Sequence, residues 1–342
     1  MSNPNILQVG LGGFGKNHLR AWHELGLGQN LFIAELDPNR YEECSTYNMP
    51  PDRIGPDYRT FLNKVDVVDI VTPSTSHFEL CVAALQAGKD VFVEKPMALT
   101  VAEGESMKAV AEENGRILMV GHLLEYHPAI LALRELIDSG ELGNVNYVYS
   151  NRLNFGKVRT EENALWSFAP HDVAVILRLM GEFPVEVTAC GGSYLTTNLA
   201  DVTVSCLRFT DERRGHVFVS WLHPFKEQRL VVVGDKQMAV FNDVAPLGEK
   251  LSLYPNRVDF EDEQPVLSKE DAIPVEISSE EPLRNECEHF LNRIRDRKNP
   301  LTDGASGIAD LRILQAGQES LEVNGVPATL EMEASYRQVL ES

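Results

Sequence analysis

Five short runs in the first 120 residues, Ile6–Val9, Leu31–Ala34, Val67–Val71, Val91–Val93 and Ile117–Val120, are almost continuously apolar. A strand without a polar face has both faces covered, the condition of a parallel sheet held between helical layers. The segments between them carry helix punctuation. Ser76 with Glu79, and Thr100 with Glu103, have capping-box spacing, and Gly88 and Gly115 stand where the respective helices stop. Strand, helix, strand in repetition predicts a doubly wound α/β domain over residues 1–122.

Beyond Gly140 the texture changes to longer alternating runs, Val145–Asn151, Val185–Gly191, Thr203–Phe209 and Val217–Trp221, which predict an open, mainly antiparallel sheet in a second α/β domain over residues 123–342. One helix interrupts it. Pro170 suits a first helical turn, Val173, Ile176, Leu177 and Met180 recur at helical spacing, and Gly181 ends the run. A last helix is expected over about Leu283 to Arg297, and the acidic run Asp259 to Glu263 reads as a solvated loop. A chain of 342 residues with 43% hydrophobic content has material for two cores.

The charge balance, 31 Lys plus Arg against 51 Asp plus Glu, gives -20 and disfavours nucleic acid and anionic membrane surfaces as partners. The five cysteines include no CxxC pair, so neither a disulfide framework nor a metal site is expected. The N-terminus MSNPNILQVG lacks a basic, apolar leader, and no apolar run approaches the roughly 20 residues that span a bilayer. A cytoplasmic location is expected.

Chemistry enters after the first strand. In VGLGGFGKNH, Gly10, Gly12 and Gly15 fit G-x-G-x-x-G, a tight turn that brings backbone and a helix N-terminus to a pyrophosphate. Glu35 ends the second strand twenty residues after Gly15, where a carboxylate holds ribose hydroxyls and repels a 2'-phosphate, so NAD is expected over NADP. Asp37 is a rival for that role. Ligands in such sheets sit outside the carboxyl ends of the strands, which puts Thr72, Pro73, Ser74, Glu94 and Lys95 at the rim. His77 reads either as a cofactor neighbour or as an exposed first-turn residue. In VFVEKP, a lysine at a strand's end can act as general base or proton donor, since burial and an oxidised nicotinamide both lower its pKa.

The succession GLGGFG, VTPSTSH, VEKP, GH followed by a proline, and APHDVAVILRLMG resembles the glucose-fructose oxidoreductase / inositol dehydrogenase / MocA family over nearly the whole chain. The resemblance implies an N-terminal Rossmann domain, a C-terminal domain whose open sheet mediates oligomers, a homodimer or homotetramer, and oxidoreduction at a sugar-like carbinol. It implies Lys95 and His171 as catalytic residues and Gly10, Gly12, Gly13, Phe14, Gly15, Glu35, Thr72, Pro73, His77 and Glu94 as the NAD site. The expected first-turn position of His171 would favour its neutral, proton-accepting form. Many members carry an aspartate four residues before this histidine, and here that residue is Ser167. The base is therefore open between Lys95 and His171.

The run Asn151 to Asp172 is similar to the branch acting on nucleotide-linked amino sugars. This implies oxidation at C3 of UDP-N-acetylglucosamine, or of its C6 uronic acid, in amino-sugar biosynthesis of the lipid A or O-antigen type. Arg152, Asn154, Arg159, Asn163 and Trp166 form a polar and aromatic cluster suited to a diphosphate, sugar hydroxyls and a ring face. His122 and Tyr126 read as pocket or packing residues. A free-sugar or inositol dehydrogenase, a deoxysugar-nucleotide ketoreductase and a non-catalytic NAD-binding module remain alternatives.

Overall fold

The computed structural model describes residues 3–156 and 158–331. Each early apolar run is a strand: β1 (Ile6–Val9), β2 (Leu31–Ala34), the short β3 (Ile54–Gly55), β4 (Val67–Ile70), β5 (Asp90–Glu94) and β6 (Leu118–Gly121). They form one sheet in the order β3-β2-β1-β4-β5-β6, every pair parallel. The order reverses between β1 and β4, where Val9 pairs with Ile70, so the loops after these strands open side by side. The helices α1 (Gly15–Glu24), α2 (Glu42–Thr46), α3 (His77–Gln86) and α4 (Val101–Glu113) connect the strands.

Thr100 and Glu103 form the expected capping box at α4. Ser76 does not cap α3; its hydroxyl donates to Thr72 Oγ1 and the Pro73 carbonyl instead, because a 3-10 turn at Ser74–Ser76 precedes the helix. Gly88 and Gly115 adopt positive φ just past their helices, as helix-stopping glycines do.

The second sheet contains β7 (Val145–Phe155), β8 (Glu186–Gly192), β9 (Val202–Arg208), β10 (Arg214–Ser220), β11 (Leu222–Gly234), β12 (Met238–Asn242) and β13 (Leu251–Tyr254). β14 (Arg257–Glu261) and β15 (Gln264–Ser268) form a separate hairpin, and β16 (Ile273–Pro274) and β17 (Ala328–Thr329) edge the nine-stranded sheet. Its pairs are antiparallel except β7 with β10. The acidic run expected as a loop is thus a hairpin, exposed along both strands, whose turn residues Asp262 and Glu263 both have positive φ, the geometry of a type I′ turn.

α5 (Pro128–Asp138) and α6 (Ala164–Met180) belong to the same unit as the large sheet, and α6 packs on β7 and β10. α7 (Pro282–Asp296) matches the expected last helix within a residue at either end, and α8 (Gly304–Glu322) lies beyond it, unanticipated. The glycines at the start of α8 are poor helix formers, which hides it in the sequence. Tertiary contact supplies what propensity lacks: a Cβ on Gly104 of α4 would lie 2.9 Å from Leu311, so the two helices pack closely through glycine.

The chain divides into two units, Met1–Leu123 with Glu281–Leu311, and Leu124–Glu280 with Arg312–Ser342. The expected boundary at 122/123 lies beside the first crossing. The segment 281–311, expected in the second domain, packs instead in the first unit, where Phe290 lies 5.5 Å from Phe92 of β5. Among the described residues no helix is long and apolar enough to cross a membrane.

Candidate active site

In the first unit, Gly10 leaves β1 with φ of +100°, and a Cβ there would sit 2.6 Å from the carbonyl oxygen of Val71 after β4. A Cβ on Gly15 would lie 2.5 Å from the Gly10 carbonyl oxygen. Both glycines are therefore required by the chain's own close approach. Gly13 differs: nothing stands within 4 Å of the position its Cβ would take, and a Cβ on Gly12 meets only Arg40 at 3.6 Å. The half-exposed Phe14 ring stands beside them, and no side chain caps the start of α1. An open, glycine-surfaced loop leading into an uncapped helix N-terminus fits a pyrophosphate.

Glu35 is buried, and its carboxylate accepts from the Leu11 N–H at 2.7 Å, the Asp37 N–H at 2.9 Å and Arg40 Nη1 at 3.3 Å. A carboxylate has about four acceptor sites, so about one remains open. Asp37 folds into a turn, accepting from the backbone and side-chain nitrogens of Asn39.

Thr72 and Pro73 stand partly open after β4. His77 does not: it is buried, with Nδ1 2.9 Å from the Pro96 carbonyl and Nε2 2.9 Å from the Thr72 carbonyl. Burial holds it below the ordinary imidazole range, against the pull of the two carbonyls, and the ring joins the loop after β4 to the loop after β5. The alternative of an exposed first-turn residue is thereby corrected. Lys95 is half-buried at the end of β5, and its N–H donates to Glu94 Oε2 at 3.3 Å. His122 is buried after β6.

Beneath these loops lie polar residues whose place the sequence reading did not identify. Gln8 donates from Nε2 to the carbonyls of Gly10 and Gly15, at 2.9 and 2.8 Å, pinning both ends of the glycine loop. His18 has no exposed surface, with Nδ1 3.0 Å from Asp69 Oδ2 and Nε2 3.1 Å from Glu94 Oε1. Gln8 and Asp69 interrupt strands that are otherwise apolar, and that interruption was the available signal.

In the second unit the helix carrying His171 starts earlier than expected. Asn163 is its N-cap, accepting from the Trp166 N–H at 3.2 Å, and Pro170 lies inside α6. His171 sits about two turns in, beyond the reach of the helix-end dipole, so the expected first-turn effect on its protonation does not apply. Ser167 is buried one turn before it.

Arg152 of β7 donates from Nε to Asp172 Oδ2 at 2.7 Å and from Nη2 to Oδ1 at 3.1 Å, while Ser150 donates to the same carboxylate at 2.5 Å. Burial works against the guanidinium's charge, and the adjacent Asp172 outweighs it, holding Arg152 above its ordinary pKa. This side chain ties β7 to α6 beside His171. Asn163 is likewise committed, donating to Gln318 Oε1 at 2.7 Å. Arg159 is largely exposed with only a 3.8 Å approach to Glu162, and Asn154 and Trp166 are half-buried. Tyr126 is buried. His127 caps α5, accepting from the Ala129 N–H at 3.0 Å; burial, despite Asp243, lowers it to about 4.

Residues 5–122 match the oxidoreductase family with an NAD-binding Rossmann fold, and residues 130–240 match the GFO/IDH/MocA C-terminal domain. The chain belongs to the GFO/IDH/MocA family. Its cofactor is NAD, and the strand order and glycine loop described above are the Rossmann arrangement that family carries. The chain is similar to UDP-N-acetylglucosamine 3-dehydrogenase of Acidithiobacillus ferrooxidans, 27% identical over 87% of this chain and 91% of the relative. Inositol 2-dehydrogenase of Salmonella typhimurium is 29% identical over 69% of this chain and 73% of its own. Among solved structures, UDP-N-acetylglucosamine 3-dehydrogenase GnnA from Acidithiobacillus ferrooxidans superposes with a TM-score of 0.81, covering 94% of this chain and 99% of that chain at 24% identity. That likeness carries the fold. As a GFO/IDH/MocA member the protein is an oxidoreductase.

Proposed function

We propose that this protein oxidises the C3 hydroxyl of UDP-N-acetylglucosamine to a 3-keto sugar nucleotide. The observation that carries this reading is the 27% identity to a 3-dehydrogenase of that sugar across 87% of the chain and 91% of the relative. Bound NAD supplies the hydride acceptor. Gly12, Gly13 and the start of α1 hold the pyrophosphate, and Glu35 takes a ribose hydroxyl. Lys95, at the carboxyl end of β5, takes the proton of the C3 hydroxyl, and His171 of α6 is the other candidate for that role. Arg159 is the cation for the diphosphate, while Asn154 and Trp166 serve the sugar and ring faces. Positioning supplies most of the rate, because no covalent intermediate with the protein is needed.

A second reading is favoured by one observation. Asp172 pairs with Arg152 and offsets its charge, and an uncharged polyol needs no free cation. Inositol oxidation is that alternative. The open face of the large sheet, where Tyr149 stacks on His216 at 5.0 Å and Tyr147 is exposed, suits pairing between subunits in a homodimer or homotetramer.

The test is incubation of the protein with NAD and, separately, UDP-N-acetylglucosamine, its uronic acid and myo-inositol. NADH absorbance and substrate mass are followed, with glutamate and an aminotransferase added to trap a keto product. NADH formation with loss of two hydrogens from a UDP sugar supports the first reading. Turnover of inositol alone replaces it with the second, and NAD binding without turnover of any of the three, unchanged in Lys95→Ala, points to a non-catalytic module.

A further inference from the structure

The His18 imidazole lies between two carboxylates in the interior of the first unit, and no role in the reaction requires it directly. Asp69 Oδ2 accepts two donors, the Trp22 indole N–H at 2.7 Å and His18 Nδ1 at 3.0 Å. An oxygen receiving the indole N–H is an acceptor, so the proton between it and His18 belongs to Nδ1. On the other side of the ring, Nε2 faces Glu94 Oε1 at 3.1 Å, and Glu94 Oε2 accepts the Lys95 N–H at 3.3 Å. Hydrogen bonds thus run without a break from the indole of α1 through β4 and back through His18 to the main chain of Lys95.

The surroundings leave this chain little freedom. His18 has no exposed surface, Asp69 has none, and Glu94 is buried. Phe92 lies 5.3 Å from the imidazole ring on one side and Phe14 5.2 Å on another. Gly121 of β6 is a glycine because a Cβ there would come within 2.6 Å of Glu94 Oε1. Other titratable groups face the carboxylates: His77 of α3, which burial lowers although Glu94 works the other way, and Cys287 of α7, whose thiol burial first, then Asp69, Glu286 and Glu94, push far up, so that it stays neutral.

We propose that His18 is a positioning residue for Lys95, acting through the carboxylate of Glu94 in the buried chain Trp22–Asp69–His18–Glu94. The inference rests on the reading of Lys95 as the proton acceptor, and adds what fixes it there. The imidazole sets two things at once. It holds the Glu94 carboxylate where the Lys95 N–H meets it, which fixes the main chain from which the lysine departs. It also carries the proton that offsets one of two buried negative charges. Without it, the uncompensated carboxylates favour the charged ammonium over the neutral amine that accepts a proton.

The experiment reads Lys95 without any sugar. The full-length protein is treated with acetic anhydride over a pH series, and the acetylation rate of Lys95 is followed by peptide mass spectrometry, with Lys64 and Lys89 as internal references. His18→Gln is expected to slow Lys95 acetylation about tenfold at a fixed pH below its midpoint and to move that midpoint upward, leaving the references unchanged. In a Glu94→Gln background, His18→Gln is expected to add nothing further, since the coupling runs through that carboxylate. A Lys95 profile unaltered by His18→Gln, or an effect of equal size with Glu94 replaced, overturns the inference. Should His18→Gln not fold, Glu94→Gln alone decides. The His18 ring, followed by nitrogen NMR, is expected to titrate at lower pH and Lys95 to react faster; no change in either overturns it. Failure of the base assignment is distinguishable, because it appears as turnover retained in Lys95→Ala.

Discussion

Gly10 and Gly13 stand three residues apart in one loop and are needed for different reasons. Gly10 has φ of +100° and faces the Val71 carbonyl at 2.6 Å from a would-be Cβ, so Gly10→Ala is expected to destabilise the fold by about 3 kcal/mol, read by urea denaturation. Gly13 has no left-handed φ and no neighbour within 4 Å. Gly13→Ala is therefore expected to unfold within about 1 °C of the parent. Its affinity for NAD, read by calorimetric titration, should fall about tenfold, a loss of about 1.4 kcal/mol, if the pyrophosphate sits on this loop as proposed, because the methyl group would fill that space. His18 makes a prediction on pH. Burial opposes its protonation, but Asp69 and Glu94 outweigh burial and raise it from 6.5 to about 10. A group raised on folding contributes its full stabilisation below pH 6.5 and loses it progressively as pH rises through about 10. Thermal midpoints of the protein are expected to fall across that window, and those of His18→Gln to fall less.

At the scale of elements, helix starts and anchors carry the argument. The α4 capping box is complete, so Thr100→Ala is expected to cost about 1 kcal/mol of stability. Ser76→Ala should cost less through any capping role, since its hydroxyl bonds Thr72 and Pro73 rather than the helix. Denaturant midpoints of the two variants, measured side by side, separate the cases. The larger effect belongs to α6. Arg152→Met leaves Asp172 buried and without its bidentate partner, and a loss of about 3 kcal/mol is expected. Arg152→Met with Asp172→Asn should recover much of it. Arg159→Gln is expected to leave stability unchanged and to raise KM for a UDP sugar, because its side chain is largely exposed and only loosely paired.

At the scale of the molecule, the chain crosses between two units three times, and the glycine loop and Glu35 both lie in the first of them. NAD at about 100 times its Kd is expected to stabilise that unit by about 2.7 kcal/mol. If calorimetry resolves two transitions, one moves with NAD and the other does not. The sequence by itself determined the parallel sheet, because a strand buried on both faces must be largely apolar, and it determined the glycine loop, because the close backbone approach at Gly10 and Gly15 demands glycine at that spacing. Strand ends for β1 and β2 were legible to the residue. What periodicity could not reach were matters settled by contacts distant in sequence. The start of α6 was misplaced because Pro170 imitates a first turn, while the true cap, Asn163, is fixed by Gln318, 155 residues away. The ion pair of Arg152 with Asp172 was not visible in the spacing, and α8 was hidden because glycines that weaken a lone helix are what let this one pack. The roles of His18 and His77 were out of reach for the same reason. A buried polar residue is defined by its partners, and strand order, not neighbourhood along the chain, put Asp69, Glu94, Thr72 and Pro96 around those two rings.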